Sequence, residues 1–540
     1  VALVGAGPGE PSWITVAGLE RLRRAQVVVF DALANPALLD HAPPTALRID
    51  AGKRAKDHKL TQDQIHQVLL EHARAGKFVV RLKGGDPYLF GRGAEEVVFL
   101  ARHGIDCEVI PGVTAGIAAP MAAGIPVTHR DLASTVTFVT GHEDPTRADS
   151  QVDYPALARL CAGGGTLCFY MGVGRLDAIA GQLQQHGCAA DTPVAVVQWG
   201  TLPRQRSLRS TLAAAAAEVR RGSIGAPALI VVGAVAGLNE PGLDFFTSPA
   251  RRPLLGRRIL VTRTRTQASA LRQQLEALGA DVLEAPTIEI VPAPPEALRQ
   301  ADEVLLQLTW DASGAGAGGG AGGGSWLVLT SAHGVTALSE RLEALHLDAR
   351  ALRGIAIAAV GDATAQALRE RLGINADFVP TQFAGASLAG ELIAKQEVRG
   401  KRVVLLRAEI AAAGLPEALR QAGAQVVELT AYQTRRAAGL PPAAAQALRE
   451  GTVDWATFTS SSTAHHLVEL CRQGDAAAGD EALLRGLRGS MIASIGPMTS
   501  QTLRDLGLCV TVEAQPHDVP GLVARLSAAA LRARSDPRVR

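Results

Sequence analysis

The chain has 540 residues, 47% of them apolar and 20% charged, too long for one core and implying three or four folded domains. A formal net charge of +2 supplies no overall field for nucleic acid, so recognition of any anion falls to local arginines. Six cysteines (Cys107, Cys161, Cys168, Cys188, Cys471 and Cys509) are scattered without CxxC spacing, which fits neither a zinc site nor a disulfide framework and points to a metal-free protein of a reducing cytoplasm.

No membrane partner is expected. The apolar run at 226–237 is too short to span a bilayer, and that at 114–127 is cut by Pro120 and Pro126. No signal peptide is visible, although the chain opens on Val1 rather than Met.

In chain order, VALVGAGPG is an apolar strand entering a turn with Gly5, Gly7 and Gly9, and a helical pattern follows from Thr15 to Arg24. The spacing falls short of a dinucleotide fingerprint, because the third glycine is not at its offset. A strand at Val27–Phe30 ends on Asp31, and Lys53 follows another short strand, so both lie in loops on the ligand side of a parallel sheet. The apolar run Phe78-Val79-Val80 then leads into RLKGGDPYLFGRG, Arg81 to Gly93. One loop there offers bare backbone at Gly84-Gly85, a carboxylate at Asp86 and a guanidinium at Arg92; a tight turn with solvated charges is the competing explanation.

Small residues dominate Glu108 to Asp131, where Gly112, Gly116 and Gly124 allow close backbone approach and Thr114-Ala115 would open a helix with free amides. His129 and Arg130 form a second polar cluster beyond Pro126. Strands expected at Val136–Thr140, Thr166–Tyr170, Val194–Gln198 and Ala228–Gly233 complete a second α/β lobe, with Met171-Gly172 and Gly200-Thr201 just past two of them.

These motifs together, GAGPG, the Asp31 strand, GKRA, RLKGGDPYLFGRG, VIPGVTAGIAAP, GIPVTHRDLAS, FVTGH, FYMGV and APALIVVG, resemble the tetrapyrrole methylase family over nearly all of residues 1–240. Within it they are similar to S-adenosylmethionine-dependent uroporphyrinogen-III C-methyltransferases. The resemblance implies two α/β lobes (about 1–115 and 116–240) with S-adenosyl-L-methionine between them, and a homodimer. It places the donor on Pro8, Gly84, Gly85, Asp86, Leu89, Thr114, Ala115, Met171 and Gly200. Asp31 is implied as proton acceptor and Lys53 as proton donor, with Arg92, Glu95, His129 and Arg130 facing a tetrapyrrole substrate. A macrocycle with many carboxylates calls for guanidiniums, and Arg92 reads as a clamp, since a group of pKa above about 12 is a poor base. Ala94 stands where the family commonly has Gly, and Phe30 where it often has Tyr.

Residues 241–256 carry Pro, Gly and paired Arg and are expected as a linker. Residues 313–324, SGAGAGGGAGGG, are low-complexity and expected as a surface insertion. Beyond the linker the chain nearly repeats itself. LVLTSAHGV followed by IAAVGDATAQALRERLG returns as ATFTSSSTA followed by IASIGPMTSQTLRDLG. Each copy reads as strand, Thr-Ser turn, helix, strand and Gly-x-x-Thr turn into a helix. Two such lobes would line a cleft with hydroxyls and helix ends, a surface suited to carboxylates, although Ser and Thr there also serve as ordinary N-caps.

With ILVTR, VVLLRAE and ELTAYQT, the order of these motifs resembles uroporphyrinogen-III synthase over most of residues 257–530. The implied fold is a second two-lobed α/β unit at 257–540, one lobe from 257–292 plus 434–540 and the other from 293–432, joined by two crossing strands. That family closes a linear hydroxymethylbilane and inverts its last ring without metal or cofactor. The resemblance assigns Tyr432 as donor to the leaving hydroxyl, Thr364 and Thr499 as cleft threonines, and Ser331, Ser460 and Ser461 as carboxylate contacts. His333 replaces a residue more often Asn. Two rivals stay open: a nucleotide-dependent oxidoreductase built on Gly5 to Gly9, and an active methyltransferase with a non-catalytic bilane-binding second half.

Overall fold

Strands such as Ala2–Gly5 and Val79–Lys83 are buried at every position, as strands covered by helices on both faces must be. The structure, a computed structural model, describes residues 1–52, 60–142, 151–262, 265–312, 324–380, 385–395, 398–409, 414–473 and 480–535. Lys53 and the Gly/Ala stretch, apart from Gly324, lie outside them. Among the described residues no helix is long and apolar enough to cross a membrane, and no cluster of His, Cys, Asp or Glu could hold a metal.

The first sheet contains β1 (Ala2–Gly5), β2 (Val27–Phe30), β3 (Leu47–Asp50), β4 (Val79–Lys83) and β5 (Glu108–Ile110), all parallel, in the order β3-β2-β4-β1-β5. Every carboxyl end therefore lies on one edge, where the Gly5, Asp31, Gly84 and Gly112 loops gather. The second sheet contains β6 (Thr135–Thr140), β7 (Gly165–Tyr170), β8 (Pro193–Gln198), β9 (Arg206–Thr211) and β10 (Ala228–Val232), in the order β6-β7-β10-β8-β9. Strand β9 is not foreseen by the sequence reading. As an edge strand paired only with β8, it keeps a polar sequence, RSLRST, without the apolar pattern that marks a core strand.

Two more five-stranded sheets follow. The chain forms β11 (Arg258–Val261) and β12 (Asp281–Glu284), then β13 (Ile288–Pro292), β14 (Trp326–Leu329), β15 (Ala356–Ala359), β16 (Arg402–Ala408) and β17 (Gln425–Arg436), and returns with β18 (Trp455–Phe458), β19 (Met491–Ser494) and β20 (Val510–Glu513). Strand orders are β12-β11-β18-β19-β20 and β13-β17-β16-β14-β15. The chain crosses between these sheets after β12 and again after β17, where the Ala437 amide donates to the Thr287 carbonyl at 3.1 Å. Residues 288–292, grouped above with the lobe at 257–292, pair antiparallel with β17 and so belong to the other sheet. Their change of sheet follows from the crossing itself, since β17 offers an open edge that β13 completes.

The stretch 241–256 is packed rather than loose. Phe246 is 2% exposed and meets Trp13 edge-on at 6.1 Å, while the Arg252 guanidinium lies 3.8 Å from the Phe246 ring centroid and 3.6 Å from the Glu10 carboxylate. Arg272 of the second half reaches Asp40 of the first at 3.4 Å. The two halves are thus in contact beside the Gly-rich turn.

Candidate active sites

The first site is built at the junction of the first two lobes. After β1 and β4 the chain runs in two loops tied by reciprocal hydrogen bonds, Gly85 N to Gly7 O at 2.8 Å and Gly7 N to Gly85 O at 3.3 Å. Gly7 and Gly85 both have positive φ, at 75° and 69°, which glycine adopts without strain. A methyl on Gly5 would stand 2.5 Å from the Gly112 Cα, so the β1 and β5 loops touch through bare backbone. Asp86 pins the assembly, accepting from Tyr88 N at 2.8 Å and from Gly112 N at 3.0 Å.

Opposite stand residues of the second lobe. The Tyr170 hydroxyl at the end of β7 lies 2.6 Å from Thr114 Oγ1 and accepts from Gly116 N at 2.6 Å, in the first turn of the helix Ala115–Ala122. Burial raises the Tyr170 phenol above its ordinary value, so it stays protonated. Its ring meets Phe90 of the β4 loop at 5.1 Å. Glu10 N donates to Thr201 Oγ1 at 3.1 Å, and Met171 is 54% exposed with φ 55°. The nine expected donor-binding residues thus fall on loops that meet at one junction. Gly85 has open space where a Cβ would be, so its main chain is accessible, and the junction adds the Asp86 carboxylate, the hydroxyls of Thr114, Tyr170 and Thr201 and the Met171 thioether. That donor set fits a nucleoside carrying an amino acid and a sulfonium. Tyr170 and Thr201, which the sequence places at a strand end and beside Gly200, are not among the site residues expected from it.

Beneath this edge lies a buried set of charges. Arg81 and Lys83 alternate onto one face of β4 and are each 2% exposed. Arg81 donates from Nη2 to Asp31 Oδ1 at 2.5 Å, from Nε to Glu96 Oε1 at 3.3 Å, and from Nη1 to Val29 O at 3.3 Å. Lys83 Nζ donates to the same Glu96 oxygen at 2.9 Å, and Gln62 Nε2 does so at 3.1 Å. Burial first, and the Arg81 charge second, lowers the Lys83 pKa. Asp31 is half-buried, and its only side-chain partner among the described residues is Arg81. Two cations inside an apolar strand are the signal for this cluster, which the sequence reading passes over.

The expected tetrapyrrole contacts are less gathered. Arg92 is exposed, left-handed at φ 58°, and held bidentate by Glu95 at 3.0 and 2.7 Å; that hydrogen bond raises the arginine's pKa and lowers the glutamate's. Two of its five N–H groups are occupied, which leaves donors for a second anion. His129 is half-buried, with Nδ1 accepting from Asp131 N at 3.2 Å, and Arg130 is exposed.

In the second half, Ser331 at the end of β14 caps the helix Ala332–Ala344 by accepting from Gly334 N at 3.1 Å. The same hydroxyl lies 3.0 Å from Tyr432 Oη of β17. His333 meets Tyr432 edge-on at 5.5 Å, its pKa lowered by burial and then by Arg371. On the other sheet Ser460 Oγ accepts from Thr463 N at 3.3 Å, and Ser461 Oγ accepts from Thr502 Oγ1 at 2.9 Å, tying the helices Ser461–Gln473 and Pro497–Asp505. Thr364 and Thr499, expected as cleft threonines, are each 5% exposed, which leaves little of either side chain for a substrate to touch. Both occupy the first turn of a helix packed on its sheet, where a small β-branched side chain is covered by neighbours.

Residues 1–216 match the family model of the tetrapyrrole (corrin/porphyrin) methylases, and residues 269–524 match that of uroporphyrinogen-III synthase HemD. The chain is similar to the porphyrin biosynthesis protein HemD of Ruminiclostridium josui, 37% identical over 464 residues, 86% of this chain and 87% of that protein. An S-adenosyl-L-methionine-dependent uroporphyrinogen III methyltransferase of Methanosarcina barkeri is 47% identical over 45% of this chain and 97% of its own length. A siroheme synthase of Pseudomonas fluorescens is 48% identical over 44% of this chain and 51% of its own length.

Proposed function

Because the chain belongs to the tetrapyrrole methylases through its first half and to the uroporphyrinogen-III synthases through its second, we propose that it performs two consecutive steps of tetrapyrrole biosynthesis. The second half closes hydroxymethylbilane to uroporphyrinogen III, inverting the last ring. The first half uses S-adenosyl-L-methionine to methylate that product twice, on adjacent rings, giving precorrin-2 on the way to sirohaem or cobalamin. The observation that carries this reading is the convergence of the β1, β4 and β5 loops with Met171 and Gly200 at one lobe junction.

Pro8, Gly84, Gly85, Asp86, Leu89, Thr114, Ala115, Met171 and Gly200 would hold the donor, which supplies an electrophilic methyl group on a sulfonium. Alignment of a pyrrole carbon with that methyl accounts for most of the rate, since little acid–base help is needed for the transfer itself. The methylated ring then carries a positive charge, which acidifies a C–H on an adjoining bridge carbon. Asp31 accepts that proton, with Lys53 as the partner acid. A carboxylate is a weak base, yet so strong a carbon acid needs no stronger one. Arg92, Glu95, His129 and Arg130 orient the macrocycle, with a substrate carboxylate taking the Arg92 donors that Glu95 leaves open.

In the synthase half, departure of the hydroxyl leaves an electron-poor azafulvene, and Tyr432 donates to the leaving oxygen while Ser331 fixes the phenol. Ser331, Ser460, Ser461 and the helix ends about them receive substrate carboxylates, with Thr364 and Thr499 contributing only through their partly accessible first turns. The methyltransferase half assembles as a homodimer, and the fusion raises the local concentration of an unstable intermediate at the second site. The test supplies hydroxymethylbilane without donor. Formation of the type III isomer is expected, whereas type I alone would make the second half a non-catalytic bilane-binding module. Adding donor then yields a doubly methylated product.

A further inference from the structure

We infer that Glu96, which is 0% exposed and cannot touch a substrate, is a positioning residue for Asp31, acting through Arg81. The inference rests on the reading above that Asp31 accepts the proton released after methyl transfer.

Three donors from two elements, Arg81 Nε and Lys83 Nζ on β4 and Gln62 Nε2 on the helix Gln62–Arg74, converge on the single oxygen Glu96 Oε1. Its other oxygen, Oε2, is buried with no hydrogen-bond partner among the described residues. A carboxylate serving only to neutralise buried cations would gain by using both oxygens, since a bidentate pair with Arg is the stronger arrangement. Glu96 instead meets Arg81 through Nε alone, and this leaves the guanidinium's far edge to Asp31 at 2.5 Å. Arg81 Nη1 is meanwhile held by the carbonyls of Val29 and Leu82, so the planar group is fixed on three sides. Its remaining contact sets where the Asp31 carboxylate points, with Oδ1 tied inward.

Charge bookkeeping separates this from a plain buried ion cluster. Arg81 and Lys83 bring two positive charges and Glu96 and Asp31 two negative ones; His66, 3.2 Å from Gln62 Nε2 and stacked on Phe99 at 4.6 Å, is the next titratable group. Removing Glu96 alone leaves an excess of positive charge in a buried site, and a general loss of stability is expected. Removing Lys83 with it restores the balance but not the charged anchor on Arg81, because the glutamine oxygen is a neutral and weaker acceptor for Arg81 Nε.

The experiment therefore uses the full chain as Glu96→Gln, Lys83→Met and the Glu96→Gln/Lys83→Met pair. Each is measured for thermal midpoint, donor binding by calorimetry, and the pH profile of methyl transfer to uroporphyrinogen III. The double variant should regain the thermal midpoint that Glu96→Gln loses and bind donor as the parent does. Its kcat should stay about 10- to 100-fold low, the cost of a catalytic group misplaced by a fraction of an ångström, with the acid limb of its profile displaced. Recovery of kcat along with the midpoint would overturn the inference and leave Glu96 a structural counter-ion. Asp31→Asn keeps the two questions apart: full activity in that variant removes Asp31 as the base, whatever Glu96 does.

Discussion

In the first half, four charged side chains, Asp31, Arg81, Lys83 and Glu96, are joined by hydrogen bonds beneath the lobe junction. The second half gathers hydroxyls instead, Ser331 with Tyr432 at one strand end and Ser460, Ser461 and Thr502 at another. The difference follows the chemistry proposed for each. Loss of a proton from the methylated intermediate needs a carboxylate held in place and aimed. Folding a flexible polyanion around a spontaneous departure needs many weak donors spread over a surface, each helix end giving about 0.3 to 1 kcal/mol. One half thus concentrates electrostatic work in a few buried groups, and the other distributes it.

The contrast breaks if single substitutions act alike in the two halves. Asp31→Asn should have the largest effect, lowering methyl transfer by about 10² to 10⁴ while ring closure of hydroxymethylbilane continues at the parental rate. Coupled assays on one preparation check both, and an equal loss in both would mean damage to the fold rather than to the base.

Asp86→Ala comes next. It removes the acceptor for Tyr88 N, within the loop after β4, and for Gly112 N, the hydrogen bond that joins that loop to the one after β5. Each bond to a carboxylate is worth about 1.5 to 3 kcal/mol, so donor affinity should fall by roughly 10- to 100-fold. Calorimetry with donor measures this, and an unchanged affinity would place the donor elsewhere.

Tyr432→Phe should slow ring closure alone, by about tenfold, the worth of one hydrogen bond to a leaving group that also departs unaided. Methyl transfer to supplied uroporphyrinogen III is the control. A loss much greater than this would show that the synthase half, too, depends on one group.

The same contrast explains what was legible beforehand. Glycine-rich loops must keep their residues because backbones touch there, as Gly5 does against Gly112, so the first half announces itself in motifs such as GAGPG and RLKGGDP. Caps and hydroxyls can be exchanged among Ser, Thr and Asp at little cost, so the second half was readable mainly through the order and near-repetition of its strand-turn-helix units. Strand β9 escaped because an edge strand has no apolar face to display, and β13 was assigned to the wrong lobe because a crossing strand belongs to both sequences of contacts. Burial of Thr364 and Thr499 depends on which neighbours pack over a helix's first turn, which local sequence does not specify. Arg81, Lys83 and Glu96 were overlooked for the opposite reason: charges are read as solvated unless their partners, 13 to 15 residues away, are known.

The smallest expected effect concerns His333, a group beside Tyr432 whose ionisation the fold shifts. Burial, followed by the charge of Arg371, lowers its pKa below the ordinary value of about 6.5. Between the lowered folded value and that ordinary one, the unfolded chain binds more protons than the folded chain, so stability rises with pH across this window and is lost as pH falls through it. Above it the imidazole is neutral in both states and contributes nothing. His333→Asn removes the titration and should flatten the fall in denaturant midpoint between about pH 7 and pH 5, while the Ser331–Tyr432 hydrogen bond and ring closure at neutral pH stay near parental. Midpoints measured at several pH values decide it. A fall as steep as the parent's would mean that acid sensitivity of the second half lies with other groups, and its site would then carry no titrating member.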